Sequence, residues 1–411
     1  MPFIAGCSER KVTVMFQMKM TALMILQSDF PPDLRVEKEA RSLQEGFSVV
    51  LLSSNRSNSD SLYHCHRGIK VFRLHHFKKS NAWKRFLIQP FPLNPLWILK
   101  SLALIRRFRP RVMHVHDLPL AYLGLVARLL YPVKTVLDLH ENYPEALKIW
   151  GRKGRFSFLF RNHHLARIYE TASIKRFDKI IVVDENHRSE IQGRIPGTVP
   201  KIHVVSNAVE HQEYSNMRLQ ARILQKYRGR FVVCYVGKFS VERGLDTAIQ
   251  SIPILKKRIP DIHLLLVGDG PNAEDLRSLV IQQDVMRHVE FTGWVDFEQT
   301  PSYIQASRVC VVPQPSNKLI DNGIPHKLFQ YMSLGRPVVV SDSAAISRVV
   351  RETKCGEIFQ SHSPKSLADA ILKIKDSRFP YGENGRSAVA GKYNWAVAAK
   401  ELRAVYQQLA G

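Results

Sequence analysis

VGKFSVERGLDTAI (Val236–Ile249) and DNGIPHKLFQYMSLGRPVVVSD (Asp321–Asp342) are the two stretches that decide the fold. Each reads as an apolar strand, a turn with a cation, and a helix start. Lys238 and Arg243 stand at the first turn, and Lys327 stands just before the helix of the second. A helix start offers unpaired backbone N–H groups and a partial positive charge. With cations added it becomes a seat for a diphosphate. The stretches are far apart in sequence, so they line one cleft only if the fold brings them together.

The same rhythm fills the rest of the chain. Short β-branched runs alternate with longer helical stretches, which predicts parallel sheets covered by helices. Strands are predicted at 22–27, 48–52, 70–73, 112–115, 135–139, 180–183 and 203–205 in the first half. In the second half they are predicted at 231–236, 263–267, 289–292, 309–312 and 337–340. The expected class is α/β, with two facing, Rossmann-like, doubly wound parallel-sheet domains. Residues 1–19 read as an N-terminal extension, 20–209 as the first domain and 210–390 as the second. Residues 391–411 read as a C-terminal helix that packs back toward the first domain. Two such domains leave a crevice at the carboxyl ends of their strands. Both opening stretches follow such strand ends.

The 411 residues suffice for two large domains. They hold 60 Lys+Arg against 36 Asp+Glu, a net charge of +24. From Ser61 to His116 there is no acid, against 12 Lys+Arg. Such a face seeks polyanions. The same span holds Trp83, Phe86, Phe91 and the run Leu96-Trp97-Ile98-Leu99. Cations interleaved with aliphatic bulk favour an anionic membrane interface over stacked bases. A core helix beneath a solvated basic face is the plainer alternative. No helix-turn-helix, RRM or zinc-finger pattern accompanies the charge, so no nucleic-acid partner is expected. No run reaches the roughly 18 apolar residues of a membrane span. Ile4-Ala5-Gly6-Cys7 imitates a lipoprotein cleavage box, yet no basic start or apolar stretch precedes it. The five cysteines form no CxxC pair, which fits a reducing compartment without structural zinc. The expected location is cytoplasmic, at the inner face of the membrane.

His114 and His116 in HVHD (His114–Asp117) alternate onto one strand face. The metallo-hydrolase pattern HxHxDH fails, because Leu118 and Pro119 occupy its last positions. DLHENYPEAL (Asp138–Leu147) is not an HExxH zinc helix, because Pro144 stands where the second His belongs. No metal is therefore expected. Gly268 and Gly270 form a lone GxG without the third glycine of a dinucleotide fingerprint. A tight turn at a strand end is the better reading.

Seven motifs in order give the chain a resemblance to family-4 retaining glycosyltransferases of the GT-B fold. They are SDFPPDLRVEKEARSL (Ser28–Leu43), HVHD, DLHENYPEAL, VGKFSVERGL (Val236–Leu245), LLLVGDGP (Leu264–Pro271), VEFTGWV (Val289–Val295) and IPHKLFQYMSLGRPVVVSD (Ile324–Asp342). The resemblance runs from Thr21 to the C-terminus. It implies a nucleotide-diphosphate sugar as donor, a glycan or lipid-linked acceptor, and no obligatory cofactor. It implies that Lys238 and Arg243 hold the donor diphosphate, that His116 sits near the donor sugar, and that these three are the catalytic residues. Gly237, Gly268, Asn322, His326, Lys327, Leu328 and Gln330 would line the donor site. Asp117, His140, Glu141 and Arg35 fall on the acceptor side. The family usually carries two Glu residues eight positions apart, where this chain has Asn322 and Gln330. Gln330 can still hydrogen-bond a ribose hydroxyl, and Asn322 or Asp321 would face the sugar. The missing Glu pair motivates an alternative, a non-catalytic nucleotide-sugar-binding or scaffold protein of a glycan assembly system. The retained Lys238, Arg243 and Lys327 argue against it.

Overall fold

Runs of Val, Ile and Leu become the strands of two sheets. The computed structural model describes residues 19–55, 61–74, 94–149 and 162–410. The N-terminal extension expected at 1–19 lies outside the described residues, save for Lys19. So do Lys78, Lys79, Lys84 and Arg85 with Trp83, Phe86 and Phe91 of the acid-free span. The first sheet contains β1 (Met20–Asp29), β2 (Phe47–Ser54), β3 (Tyr63–His66), β4 (Ile69–Arg73), β5 (Val112–His116), β6 (Lys134–Leu139), β7 (Lys179–Val182) and β8 (Ile202–Val204). Its order is β3-β4-β2-β1-β5-β6-β7-β8, and only the β3–β4 pair is antiparallel. The second contains β9 (Phe231–Val236), β10 (Ile262–Val267), β11 (Val289–Phe291), β12 (Val309–Val312), β13 (Val338–Ser341) and β14 (Gly356–Phe359). Its order is β11-β10-β9-β12-β13-β14, and every pair is parallel.

Both faces of each sheet are buried, as parallel strands require. Leu23, Ile25, Val50 and Leu52 enter one core. Their neighbours Ala22, Met24, Val49 and Leu51 enter the other. Twelve of the fourteen strands among the described residues were expected at these places. The two that were not are short edge strands. β3 is Tyr-His-Cys-His, half exposed and without a β-branched residue. Its signal was the turn after it, where Arg67 (φ 47) and Gly68 (φ 80) take the left-handed conformations of a two-residue hairpin. β14 opens on Gly356 and Glu357, both poor strand formers.

This topology positions the site. The strand order reverses direction between β1 and β5 in the first sheet and between β9 and β12 in the second. Crevices form outside the carboxyl ends of strands at such reversals. Asp29, His116, Val236 and Val312 end those four strands.

The helix Trp395–Ala410 crosses back onto the first sheet. The Trp395 backbone N–H donates to the Val209 carbonyl at 2.9 Å, and its indole N–H donates to Ser42 Oγ at 2.9 Å. Tyr406 packs edge-on against Phe47, ring centres 5.1 Å apart. This helix and Leu34–Leu43 pack together over the sheet face that carries Val112 and Val136. By strand alternation the same face carries His114, His116 and Asp138.

Candidate active site

Glycine brings the cations of the two opening stretches together. Gly237 follows β9 at φ 138, and a Cβ there would lie 2.8 Å from Lys327 Nζ. Gly268 follows β10 at φ 134, and its Cβ would lie 2.1 Å from the Gly237 carbonyl oxygen. A side chain at Gly268 would run into backbone, and at Gly237 the positive φ disfavours one and the end of Lys327 would have to move. Lys327 is the second residue of the helix His326–Ser333, whose start has no side-chain cap. Its Nζ stands 3.6 Å from the centre of the Tyr235 ring. The Tyr235 hydroxyl donates to the Lys238 carbonyl at 3.0 Å, and the Val236 N–H donates to the Tyr331 hydroxyl at 2.8 Å. These bonds fix the strand end against the helix.

Lys327 is buried, and no carboxylate pairs with it among the described residues. Burial, and then the charge of Arg243, drive its pKa well below the usual lysine range. Arg243 ends the turn Val241–Arg243 half-buried, with its Nε buried and unpaired. Lys238 is exposed on the same turn. Lys327 is thus desolvated beside the half-buried Arg243, and none of the described carboxylates pairs with it. An anion that joins Lys327 and Arg243 relieves both the repulsion and the desolvation. Leu328 does not contribute a free donor as expected. Its side chain is in the core and its N–H already serves the Pro325 carbonyl at 3.1 Å. His326 and Gln330, one helical turn apart, line a cavity of about 230 Å³ with Glu37, Lys38, Phe297 and Glu298.

The facing wall is a polar cluster in the first domain. Arg35 Nη2 forks onto both oxygens of Asp138 at 3.1 Å and meets Glu39 at 3.0 Å. Its Nη1 donates to the Val205 carbonyl at 3.0 Å. Arg35 is only 6% exposed, so it does not present its charge to an acceptor. The reason is its place on the inward face of the helix Leu34–Leu43. His116 is 0% exposed and lies stacked on His114, ring centres 4.3 Å apart. Its Nδ1 stands 3.2 Å from His140 Nε2. The resemblance put His116 beside the sugar, but strand alternation buries it one layer behind His140. His114 Nδ1 lies 2.9 Å from the Tyr406 hydroxyl.

Electrostatics sorts these groups. Burial drives His116 well below the usual imidazole range, so it is neutral. Burial also opposes charge on His140, but Asp117 and then Asp138 outweigh it and push its pKa up to about 10. His140 is therefore a cation, 20% exposed, at the cleft end of the cluster. Burial would raise Asp138, yet Arg35 and then His140 hold it well below the usual carboxylate range. Burial, and then Asp138, push Glu39 up to about 8. Burial, and then Asp117, push Glu141 up to about 7, and Arg243 of the other domain opposes that shift. Glu141 and Arg243 thus feel each other across the cleft. Asp117 sits at φ 67, an uncommon conformation for a non-glycine residue, and its carboxylate accepts the His140 backbone N–H at 3.3 Å.

Glu39, His114, His116 and Asp138 bring ligand-type atoms within 4.8 Å of one another. The Arg35 guanidinium touches both carboxylates and already supplies positive charge there. Asn322 was expected to face the sugar. Its Nδ2 instead donates to Glu190 Oε2 at 2.9 Å and to the Lys318 carbonyl at 3.1 Å. Neighbouring Asp321 accepts from Ser316 Oγ at 2.9 Å and from the Ala344 N–H at 2.9 Å.

Sequence reasoning passed over Glu39, Tyr406 and Glu190. Glu39 was visible as the partner of Arg35 at i,i+4, a pattern that usually means a solvated pair. Tyr406 and Glu190 had no local signal, because their partners are distant in sequence.

The Glu39 proton has a measurable consequence. The folded protein holds it more tightly than the unfolded chain does. Its stabilising contribution is complete below the ordinary pKa of 4.5 and is lost as pH rises through about 8. Between about pH 5 and pH 8 the melting temperature of the wild type should fall relative to that of Glu39→Gln. A constant offset between the two across that range contradicts the assignment.

Comparison with known proteins bears on the family and the fold. The family described as glycosyl transferases group 1 matches residues 230–377, and Glycosyltransferase Family 4 matches residues 39–213. The alpha-D-kanosaminyltransferase of Streptomyces kanamyceticus is 22% identical over 325 residues, 76% of this chain and 81% of that protein. The GDP-mannose-dependent alpha-(1-6)-phosphatidylinositol monomannoside mannosyltransferase of Mycobacterium tuberculosis is 26% identical over 190 residues. That match covers 44% of this chain and 49% of the mannosyltransferase, about half its length. Among solved structures, sucrose-phosphate synthase from Thermosynechococcus elongatus superposes with a TM-score of 0.77 at 19% identity, covering 95% of this chain and 99% of the other. The two family matches fall one on each sheet, with the paired cations in the second. The chain belongs to the family-4, group-1 glycosyltransferases of the GT-B fold and is a nucleotide-sugar-dependent glycosyltransferase.

Proposed function

We propose that this enzyme is a retaining glycosyltransferase that moves a sugar from a nucleoside-diphosphate donor to a lipid-linked glycan or other glycolipid. The observation that carries the reading is Lys327, a buried lysine beside Arg243 with no carboxylate partner among the described residues. Breaking a glycosyl–phosphate bond builds negative charge on the leaving diphosphate. Cations fixed in a desolvated site stabilise that charge as it grows. Lys238, exposed at the same turn, joins them on the solvent side. They supply the charge stabilisation that a metal would otherwise give.

The acceptor hydroxyl attacks from the face that the diphosphate leaves, and a phosphate oxygen takes its proton. Configuration is thereby retained without a protein nucleophile. Glu141 and the cationic His140 orient the acceptor at the opposite wall. Gln330 takes the ribose, next to the cavity it shares with His326. The family position of a carboxylate at 322 carries an amide, and the cations remain. The retained cations favour an active enzyme over a scaffold.

Membrane contact fits the first domain's helical face. The helices Pro95–Phe108, Ala121–Leu130 and His163–Arg176 pack side by side. They expose Leu99, Leu129, Leu130 and Ile168 along with Arg107, Arg128 and Lys175. An apolar surface rimmed by cations suits anionic headgroups. In this reading the enzyme works in the cytoplasm, at the inner face of the membrane. No helix among the described residues is long and apolar enough to cross it.

Two measurements test the proposal. Incubation with a panel of nucleotide sugars should release nucleoside diphosphate with at least one donor. Nucleotide binding without release from any donor would favour the scaffold. In the active pairing, Arg243→Ala should lower turnover at least about 100-fold while the unfolding transition stays in place. Near-normal turnover would refute the role given to the cations.

A further inference from the structure

Glu190 is the point where the two walls of the cleft are tied together. Its helix, Glu185–Arg194, belongs to the first domain. Its Oε2 accepts from Asn142 Nδ2 at 2.7 Å and from Asn322 Nδ2 at 2.9 Å. Its Oε1 accepts from Arg167 Nη1 at 3.2 Å and from Arg194 Nε at 3.0 Å. Asn142 is fully buried and directly follows Glu141. Its carbonyl takes the Ala146 N–H at 2.9 Å and so starts the helix Tyr143–Ile149. Asn322 ends the turn Ile320–Asn322 that leads into the helix of Lys327. One carboxylate oxygen therefore bonds the acceptor-side loop and the donor-side loop at once.

Two more contacts run along the same seam. Asn186 Nδ2 donates to the Asp321 carbonyl at 3.0 Å, and Asp184 pairs with Arg348. Asp184, Asn186 and Glu190 lie within two turns of one helix start, and all reach the second domain. The residue at 322 decides whether this seam closes. Asn322 is buried, and its amide donates to Glu190. A carboxylate there would meet another carboxylate at hydrogen-bond distance, which disfavours ionisation of both.

We propose that Glu190 is a positioning residue that holds the cleft closed by joining Asn142 to Asn322. It does not touch the reacting atoms. It aligns the His140–Glu141 loop with the cationic seat, and Asn322 carries an amide because Glu190 supplies the carboxylate. Its effect on turnover rests on the transfer reading given above. Its effect on domain geometry does not.

The test compares the wild type, Asn322→Glu, Glu190→Gln and the double variant, all as full chains. Spin labels on cysteines placed at Leu129 and Gln282, with Cys7 and Cys65 changed to Ser, report the distance between the domains. Asn322→Glu should lengthen and broaden that distance and lower kcat about 100-fold, with the Kd for nucleoside diphosphate nearly unchanged. Adding Glu190→Gln should restore the wild-type distance and recover at least about tenfold in kcat. If Asn322→Glu does not fold, recovery of a cooperative unfolding transition in the double variant carries the same meaning. Additive effects, or an Asn322→Glu protein with wild-type distance and rate, would overturn the proposal. A wild type that turns over no donor defeats the transfer reading alone, and the distances still decide the role of Glu190.

Discussion

A buried lysine that no carboxylate pairs with among the described residues is the constraint on which the rest of this structure depends. Lys327 is held against the Tyr235 ring by a glycine that leaves it room. Arg243 stands near enough to depress its pKa. Charging a desolvated Lys327 beside Arg243 works against folding. The arrangement is intelligible if an anion completes it. Everything around the pair serves that purpose. β9 and β10 end on glycines with positive φ, the helix His326–Ser333 starts uncapped, and the topology reverses at β9 and β12.

The first domain answers with a wall of opposite design, in which nearly every charge is compensated. Strand alternation puts His114, His116 and Asp138 on one face, and the helices Leu34–Leu43 and Trp395–Ala410 cover it. Burial lowers the pKa of His114 and His116 behind, while His140 in front is held cationic by Asp117 and Asp138. One sheet face thus delivers a single cation and a carboxyl group, Glu141, to the cleft. The C-terminal helix contributes Tyr406 to this arrangement although it lies far from β5 in sequence. A change in that helix therefore reaches the site without touching substrate.

The fold was legible because its signals are local. β-branched runs, glycines at strand ends and helix starts are read within a few residues, and twelve strands fell where those signals stood. The edge strands β3 and β14 were missed because edge position, not composition, lets poor strand formers pair. The convergence of Lys327 with the Arg243 turn was legible through topology. The side chains read by analogy fared differently. Arg35 and His116 were judged by motif, and motif says nothing about which face a neighbouring helix covers. Asn322 was judged by a missing Glu, whereas its side chain bonds Glu190, a contact 132 positions away. Burial and long-range partners are properties of the assembled core, and no window of sequence carries them.

A crystal structure of the full chain with a bound nucleotide sugar tests the central claim most directly. The account predicts the diphosphate between the Arg243 guanidinium and the Lys327 ammonium, at the start of the helix His326–Ser333, with the sugar turned toward His140 and Glu141. A diphosphate bound elsewhere, such as among Arg106, Arg109 and Arg111 at the opposite end of the first sheet, with Lys327 still unpaired, would contradict it.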